Sequence, residues 1–434
     1  MDPAYMCVSA EQRSDKSHAI QKVRRKGSPT PAEGAHMDYS DLFTRNLPAE
    51  VESPPGQAED TKYIFSVTYT DRDTMPVQGF VDALADIMPR EGVELAKYPP
   101  PQGHVGLREY IAAALHDNRG MDVPVDNIFL SSGAGGAVGT ILDALIDEGD
   151  TVLVEQFCYS GTLGMLLGKR ANVIHLPTDE NGMDTDALEQ TIKDLAAKGV
   201  KPKLIYTISV YQNPMGVTLS ADRRKHMVDI SQRYGIPILE NESYADFRID
   251  GDPLPQAMYG MDNEDGIMHV SAYTKLLGCG LRLGFGVVPD EVKDVVGRLR
   301  FGTSPSHLTS MAIYEYLRQN GDEYIESVAR SLGAKRDAML AALGERFPPN
   351  CEWSNPHGGM MLWGKLPEGA DTWNTLEKAV AAGVKYNPGA VYRANRSPNN
   401  YMRLTYSYHD TDEIADGIAI LADVFEREGL FDNA

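Results

Sequence analysis

Between about residues 75 and 310 the chain alternates short apolar runs with segments of helical periodicity. NIFLSS passes through GAGGA into VGTILDALIDEG. TVLVE is followed by SGTLGMLLGKR, NVIHLP by TDALEQTIKDLAAKG, and KLIYTIS by SADRRKHMVDISQRYG; PILEN and GIMHVSAY end the series. Apolar runs of about four to eight residues between helices are strands buried on both faces, because crossover helices cover a parallel sheet above and below. The pattern predicts an α/β domain over 75–310: a mostly parallel, seven-stranded-type sheet sandwiched by helices. Within it, PVQGFVDALADIM after Pro76 and GLREYIAAALHDNRG, closed by Gly120, read as helices ahead of the first strand.

The flanks read differently. In 311–434, HLTSMAIYEYLRQNGDEYIESVARSLGAKRDAMLAALGERF (starting just upstream) reads as long helices, and GGMMLWGKL and NYMRLTYSY as strands around a helix, TWNTLEKAVAAG. That predicts a smaller C-terminal α+β domain. Residues 1–38 are polar, with Pro and Gly, and read as a flexible tail. Residues 39–74 form an arm belonging to the small domain, with HMDYSDLFTRNL as a short helix and TKYIFSVTY as a strand.

Composition narrows the partners. The formal net charge of -21 argues against nucleic acid, whose phosphates attract basic surfaces. Cys7, Cys158, Cys279 and Cys351 lack paired or zinc-type spacing, so no disulfide framework or metal is expected, and a reducing, cytoplasmic location is. No apolar run reaches the roughly 18 residues of a membrane span, and no signal-peptide core is evident.

Four candidates for chemistry fall at the ends of apolar runs. SSGAGG leads from strand to helix, so its backbone N–H groups suit a phosphate; a plain tight turn is the alternative. Gly133, Gly135 and Gly139, with Glu155 about 20 residues beyond the first, also approximate a dinucleotide fingerprint, although the third glycine falls one place late. Asn213 follows KLIYTIS and reads either as a ligand contact or as an Asn-Pro turn. ENESY follows PIL and reads as site or solvated loop. Lys275 follows GIMHVSAYT, where desolvation favours a neutral, nucleophilic amine suited to a Schiff base, and Arg282 suits a further anion contact.

Taken together and in order, these segments resemble the fold type I pyridoxal 5′-phosphate enzymes, in particular class I/II aminotransferases of the aromatic, kynurenine and aminoadipate group, over roughly 60–425. SAYTKLLGCGLR resembles S-F-S-K followed by P-G-L-R. The resemblance implies that Lys275 is the Schiff-base lysine and that Arg282 binds the cofactor phosphate. It gives Ala134 and Gly135 phosphate contacts through backbone N–H groups, and Tyr159 of EQFCYSG the stacking on the cofactor ring. It assigns Asn213 of NPMG and Tyr244 of ENESY to the ring's 3′ oxygen. Tyr98 of KYPPPQGHVGLREYI would reach the phosphate of a neighbouring subunit in a homodimer. Arg403 of NYMRLTYS would bind the substrate α-carboxylate, with Asn213 and Thr68 as further substrate contacts. The substrates implied are amino acids and keto acids.

Three departures from the family pattern stand out. Asn241 replaces the aspartate that pairs with the ring nitrogen. Ala272 replaces a phosphate-binding serine, with Ser271 or Thr274 as substitutes, and Cys279 replaces a proline. SVTYTDRDTMP replaces a G-G-x-P type pocket segment, so Asp71, Arg72 and Asp73 are expected to alter which substrate fits. Transamination is the expected reaction. The alternative is elimination, replacement, racemisation or carbon–carbon bond formation on an amino acid such as S-adenosylmethionine, suggested by Asn241. A transcription regulator built on such a domain would need a winged helix ahead of it, which the polar first 40 residues do not provide.

Overall fold

The computed structural model describes residues 61–262, 266–300, 302 and 304–432, together with Leu42. The chain divides into units 1–47 and 48–434, and every described residue except Leu42 belongs to the second. The tail over 1–38 and, apart from Leu42, the short helix expected in HMDYSDLFTRNL lie outside the described residues.

A seven-stranded sheet forms the centre. Its strands in chain order are β1 (Ile128–Ser131), β2 (Thr151–Glu155), β3 (Asn172–Leu176), β4 (Leu204–Ile208), β5 (Ile238–Asn241), β6 (Ile267–Ala272) and β7 (Gly284–Val287). The spatial order is β1-β7-β6-β5-β4-β2-β3. Strand β7 runs antiparallel to β1 and β6, and the other pairs are parallel. Every residue of β1, β2, β4, β5, β6 and β7 is buried, as the continuous apolar runs require of strands covered on both sides. The covering helices appear where the periodicity puts them, including Val105–Arg119, whose cap Gly120 takes the left-handed conformation.

Two elements differ from the expectation. The glycine run is not a loop ahead of the helix: the helix spans Gly133–Leu145, so the run forms its first turn. TKYIFSVTY keeps only the two-residue strand Tyr63–Ile64, which pairs with Val384–Lys385. Beyond Phe65 the backbone carbonyls go to side chains instead of a ladder. Asn387 donates to Ser66 O, Thr405 to Val67 O, Lys275 to Thr68 O and Ser407 to Tyr69 O. Once these acceptors are engaged, continued pairing would leave the donors unsatisfied.

A four-stranded antiparallel sheet, ordered Glu352–Trp353, Met361–Lys365, Tyr401–Thr405, Asn387–Pro388, forms the second layer. Its register sets Arg403 opposite Trp363 and Asn387. The helices expected after residue 306 are one element of 40 residues, His307–Arg346, which runs through the expected boundary at 310/311. No helix among the described residues is long and apolar enough to cross a membrane.

Candidate active site

The carboxyl ends of β1, β2, β4, β5 and β6 converge on a cavity of about 120 Å³. This is where an open α/β sheet offers a crevice to ligands. Gly133, Ala134 and Gly135 line it from the first turn of the helix after β1, Tyr159 from the loop after β2 and Asn213 from the loop after β4. Asn241 and Tyr244 come from the end of β5, and Ala272, Thr274, Lys275 and Arg282 from the segment after β6.

Lys275 sits on the short helix Thr274–Leu277 directly after β6. Its Nζ donates to Thr68 O at 2.8 Å and lies 3.7 Å from Cys279 Sγ. Arg282, exposed and in the left-handed region at φ 52°, donates to Ser132 O at 3.2 Å. Gly133 has φ +71°, and a Cβ there would lie 3.0 Å from Thr274 Oγ1 and 3.1 Å from Arg282 Nη2. Only glycine suits both the angle and the space. The helix it opens has no side-chain cap and no acidic residue in its first turn. Free N–H groups, the positive helix end and a guanidinium therefore meet at one spot, a site built for an anion such as phosphate.

A second chain of bonds crosses the cavity wall. Arg403 Nη1 donates to Asn213 Oδ1 at 2.9 Å, and Asn213 Nδ2 donates to Tyr244 Oη at 3.1 Å. Burial raises the Tyr244 phenol above its usual pKa, while Arg403 pulls the other way. Arg403 is buried, bonds Ser66 O through Nη2, and leaves Nε without a hydrogen-bond partner among the described residues. A buried guanidinium held by neutral groups, with an N–H to spare, suits an incoming carboxylate.

Asn241 ends β5. Its Oδ1 accepts from the Ser243 N–H at 3.1 Å and the Ser243 hydroxyl at 2.6 Å, and its Nδ2 donates to Tyr206 Oη at 3.0 Å. Thr162 Oγ1 bonds the same phenol at 3.0 Å. Ser243, Tyr206 and Thr162 escaped the sequence reading. Ser243 carries a local signal, since Asn side chains commonly bond the backbone two residues on. Tyr206 and Thr162 carry none: Tyr206 reaches Asn241 from the adjacent strand, and Thr162 reaches Tyr206 from the helix Ser160–Gly168, contacts that only folding makes.

Several expectations change. Ser271 does not reach the cavity: side chains alternate along β6, so Ala272 faces it and Ser271 faces away, donating to Glu242 O at 3.2 Å. Thr274 is the hydroxyl beside the glycine turn. Tyr98 is 99% exposed and does not line this chain's cavity. The charges of SVTYTDRDTMP are neutralised internally. Lys335 bonds Asp71 at 2.6 Å and Asp73 at 2.9 Å, and Arg72 pairs with Glu413 at 2.7 Å and Asp410 at 3.3 Å. The dinucleotide alternative also loses its acid. Glu155 is buried and takes donors from Thr207, Ile208 and Gln212, with burial pushing its pKa up to about 7.

Fold and cavity together define an enzyme of the aspartate aminotransferase-like fold. Residues 67–421 match the family described as Aminotransferase class I and II. The chain is 30% identical to aromatic-amino-acid aminotransferase 1 of Thermococcus litoralis over 82% of its own length and 86% of the relative's. Among solved structures it matches the kynurenine aminotransferase of Pyrococcus horikoshii, determined with PMP and KYN. That match has a TM-score of 0.80 and 30% identity, covering 86% of this chain and 92% of that one. An archaeal alanine:glyoxylate aminotransferase matches with a TM-score of 0.84 and 29% identity, covering 90% and 100%. The chain belongs to the class I and II aminotransferases, and is thus a pyridoxal 5′-phosphate-dependent transferase. The cavity fits that cofactor: an anion cradle at Gly133 and Arg282, a lysine amine, and hydrogen-bonding groups at Asn213 and Tyr244.

Proposed function

We propose that this cavity performs amino-group transfer between an α-amino acid and a keto acid, with each step assigned to residues of this chain. Lys275 Nζ would be the amine that links to the cofactor's aldehyde. The first turn at Ala134 and Gly135, with Thr274 and Arg282, would hold its phosphate, Tyr159 would lie against its ring, and Asn213 and Tyr244 would bond its 3′ oxygen. The bound cofactor supplies the electron sink for charge that develops at the substrate Cα. With the cofactor and substrate in place, Lys275 Nζ would take the proton from the substrate Cα and deliver it to the cofactor's former aldehyde carbon, on the far side of the intervening nitrogen. Arg403 clamps the α-carboxylate, which fixes the orientation of the Cα–H bond, and Thr68 and Asn213 border the same space.

We further propose that substrate enters between a large lobe over 75–310 and a small lobe that includes 61–74 and 311–432. A homodimer completes the site with Tyr98 of the second copy. Supporting this is a phenol left 99% exposed on a segment that also exposes Val93 and Leu95. A cytoplasmic location accords with Cys158, Cys279 and Cys351 being free.

The observation that carries the reading is the meeting of Lys275 with the anion cradle at Gly133 and Arg282. The test incubates pure protein with pyridoxal phosphate, records the visible spectrum, and then offers a panel of amino acids with and without 2-oxoglutarate. A lysine-linked absorption band and stoichiometric keto-acid formation are expected. A colourless protein, or turnover without keto-acid exchange, overturns it.

A further inference from the structure

The hydrogen-bonding capacity of Asn241 is almost fully accounted for. A carbonyl oxygen offers two lone pairs, and Ser243 fills both on Oδ1 with its N–H and its hydroxyl. Because a backbone N–H can only donate, the atom facing it must be the oxygen, and the other terminal atom is therefore the nitrogen. Nδ2 gives one hydrogen to Tyr206. The second has no acceptor in any hydrogen bond among the described residues, yet Asn241 is 5% exposed and lines the cavity that holds Lys275.

No Asp or Glu among the described residues lines that cavity. The neighbouring acid, Glu242, is turned to the opposite face and held by Arg119 at 2.7 Å and Arg224 at 3.0 Å. It cannot serve as a substitute without taking from buried Arg119 its carboxylate partner. The position that the family fills with an acceptor carboxylate thus presents an N–H donor in this chain.

Resting on the cavity being the pyridoxal phosphate site, we infer that Asn241 donates a hydrogen bond to the pyridine nitrogen of the cofactor and keeps that nitrogen unprotonated. A pyridine nitrogen has one lone pair. It accepts a hydrogen bond when free and donates one when protonated. A carboxylate opposite favours the protonated form, and an N–H donor favours the free one. A neutral ring withdraws less electron density from the substrate Cα, so proton removal there depends more on Lys275. Asn241 therefore sets how acidic the bound substrate becomes, and Ser243 positions it by fixing the direction of its amide.

The test reconstitutes the full protein with pyridoxal phosphate carrying ¹⁵N in the ring and reads the ¹⁵N chemical shift as pH is raised from mildly acidic to mildly basic. The native protein is expected to give a free-pyridine signal across that range, and Asn241→Asp a pyridinium signal. A pyridinium signal in the native protein overturns this inference alone. A free-pyridine signal unchanged in Asn241→Asp overturns the contact. Absence of any bound cofactor overturns the site assignment and this inference with it. A second measurement needs no variant: affinity of the native protein for the analogue whose ring nitrogen is replaced by C–H. Losing one neutral hydrogen bond is expected to weaken binding by about tenfold at most. A loss beyond about 100-fold would indicate a charge-paired nitrogen and sink the proposal.

Discussion

Asn241 and Glu242 are consecutive in sequence but face two different cavities. Asn241 borders the one that holds Lys275. Glu242 borders a smaller one, of about 70 Å³, together with Arg119, Asp246, His269 and Ser271. On the Glu242 side the charges close on one another. Arg119 grips both carboxylate oxygens at 2.7 Å, and Arg224 bridges Glu240 and Glu242 at 3.0 Å each. Burial alone would raise the Glu242 pKa, but the two guanidiniums outweigh it and hold the group well below the usual carboxylate range. His269, whose ring nitrogens make no hydrogen bond, departs from that closure. On the Asn241 side, by contrast, Arg282, Arg403 and the first turn at Gly133 keep donors to spare. A buried network that serves stability spends its donors internally, whereas a binding site withholds some for a ligand.

Substitutions on the two sides should therefore fail in different ways. Lys275→Ala is expected to lower the transamination rate by at least about 10³-fold. Its urea unfolding free energy should shift by no more than about 1 kcal/mol; a large stability loss would erase the contrast. Arg119→Ala should do the reverse, destabilising the fold by about 3 kcal/mol because Glu242 loses a buried partner. The same pair sets a pH dependence. A carboxylate with a depressed folded pKa contributes stability that is present above its unfolded value of 4.5 and lost as pH falls through and below it. The native unfolding midpoint should thus drop with acid, more steeply than in Arg119→Ala.

Smaller effects sharpen the picture. Arg403→Leu should raise KM for the amino acid by about 10²-fold with less change in kcat, as expected for a lost bidentate carboxylate contact. Thr274→Val should weaken cofactor affinity by about tenfold at most, one neutral hydrogen bond. Ser271→Ala should leave that affinity within about twofold, since its hydroxyl bonds Glu242 O on the far face. If Ser271→Ala proves the more damaging of the two, the assignment of faces is wrong.

Much of this was legible beforehand. The apolar runs marked all seven strands except β7, whose short GFGV carries two glycines and gives little hydrophobic signal. The choice between Ser271 and Thr274 was available from alternation along GIMHVSA, had Ala272 been placed facing the cavity. The loss of most of TKYIFSVTY as a strand was not available. It depends on where Lys275, Asn387, Thr405 and Ser407 bring their donors, and those residues lie more than 200 positions away.

The sequence by itself determined which groups gather at the strand ends: a lysine, a glycine-rich first turn with an arginine beside it, and an asparagine where an acid is usual. Residue type and order suffice for that, because a parallel sheet delivers the ends of its strands to one edge. Only the tertiary structure decided what each group has left to offer. Asn241 could present oxygen or nitrogen to the cavity. Ser243 and Tyr206, the latter 35 positions away on a neighbouring strand, decide for nitrogen by using up the oxygen's lone pairs and one N–H. Hydrogen-bond capacity is shared out among neighbours in space, so it becomes countable only once the chain has folded.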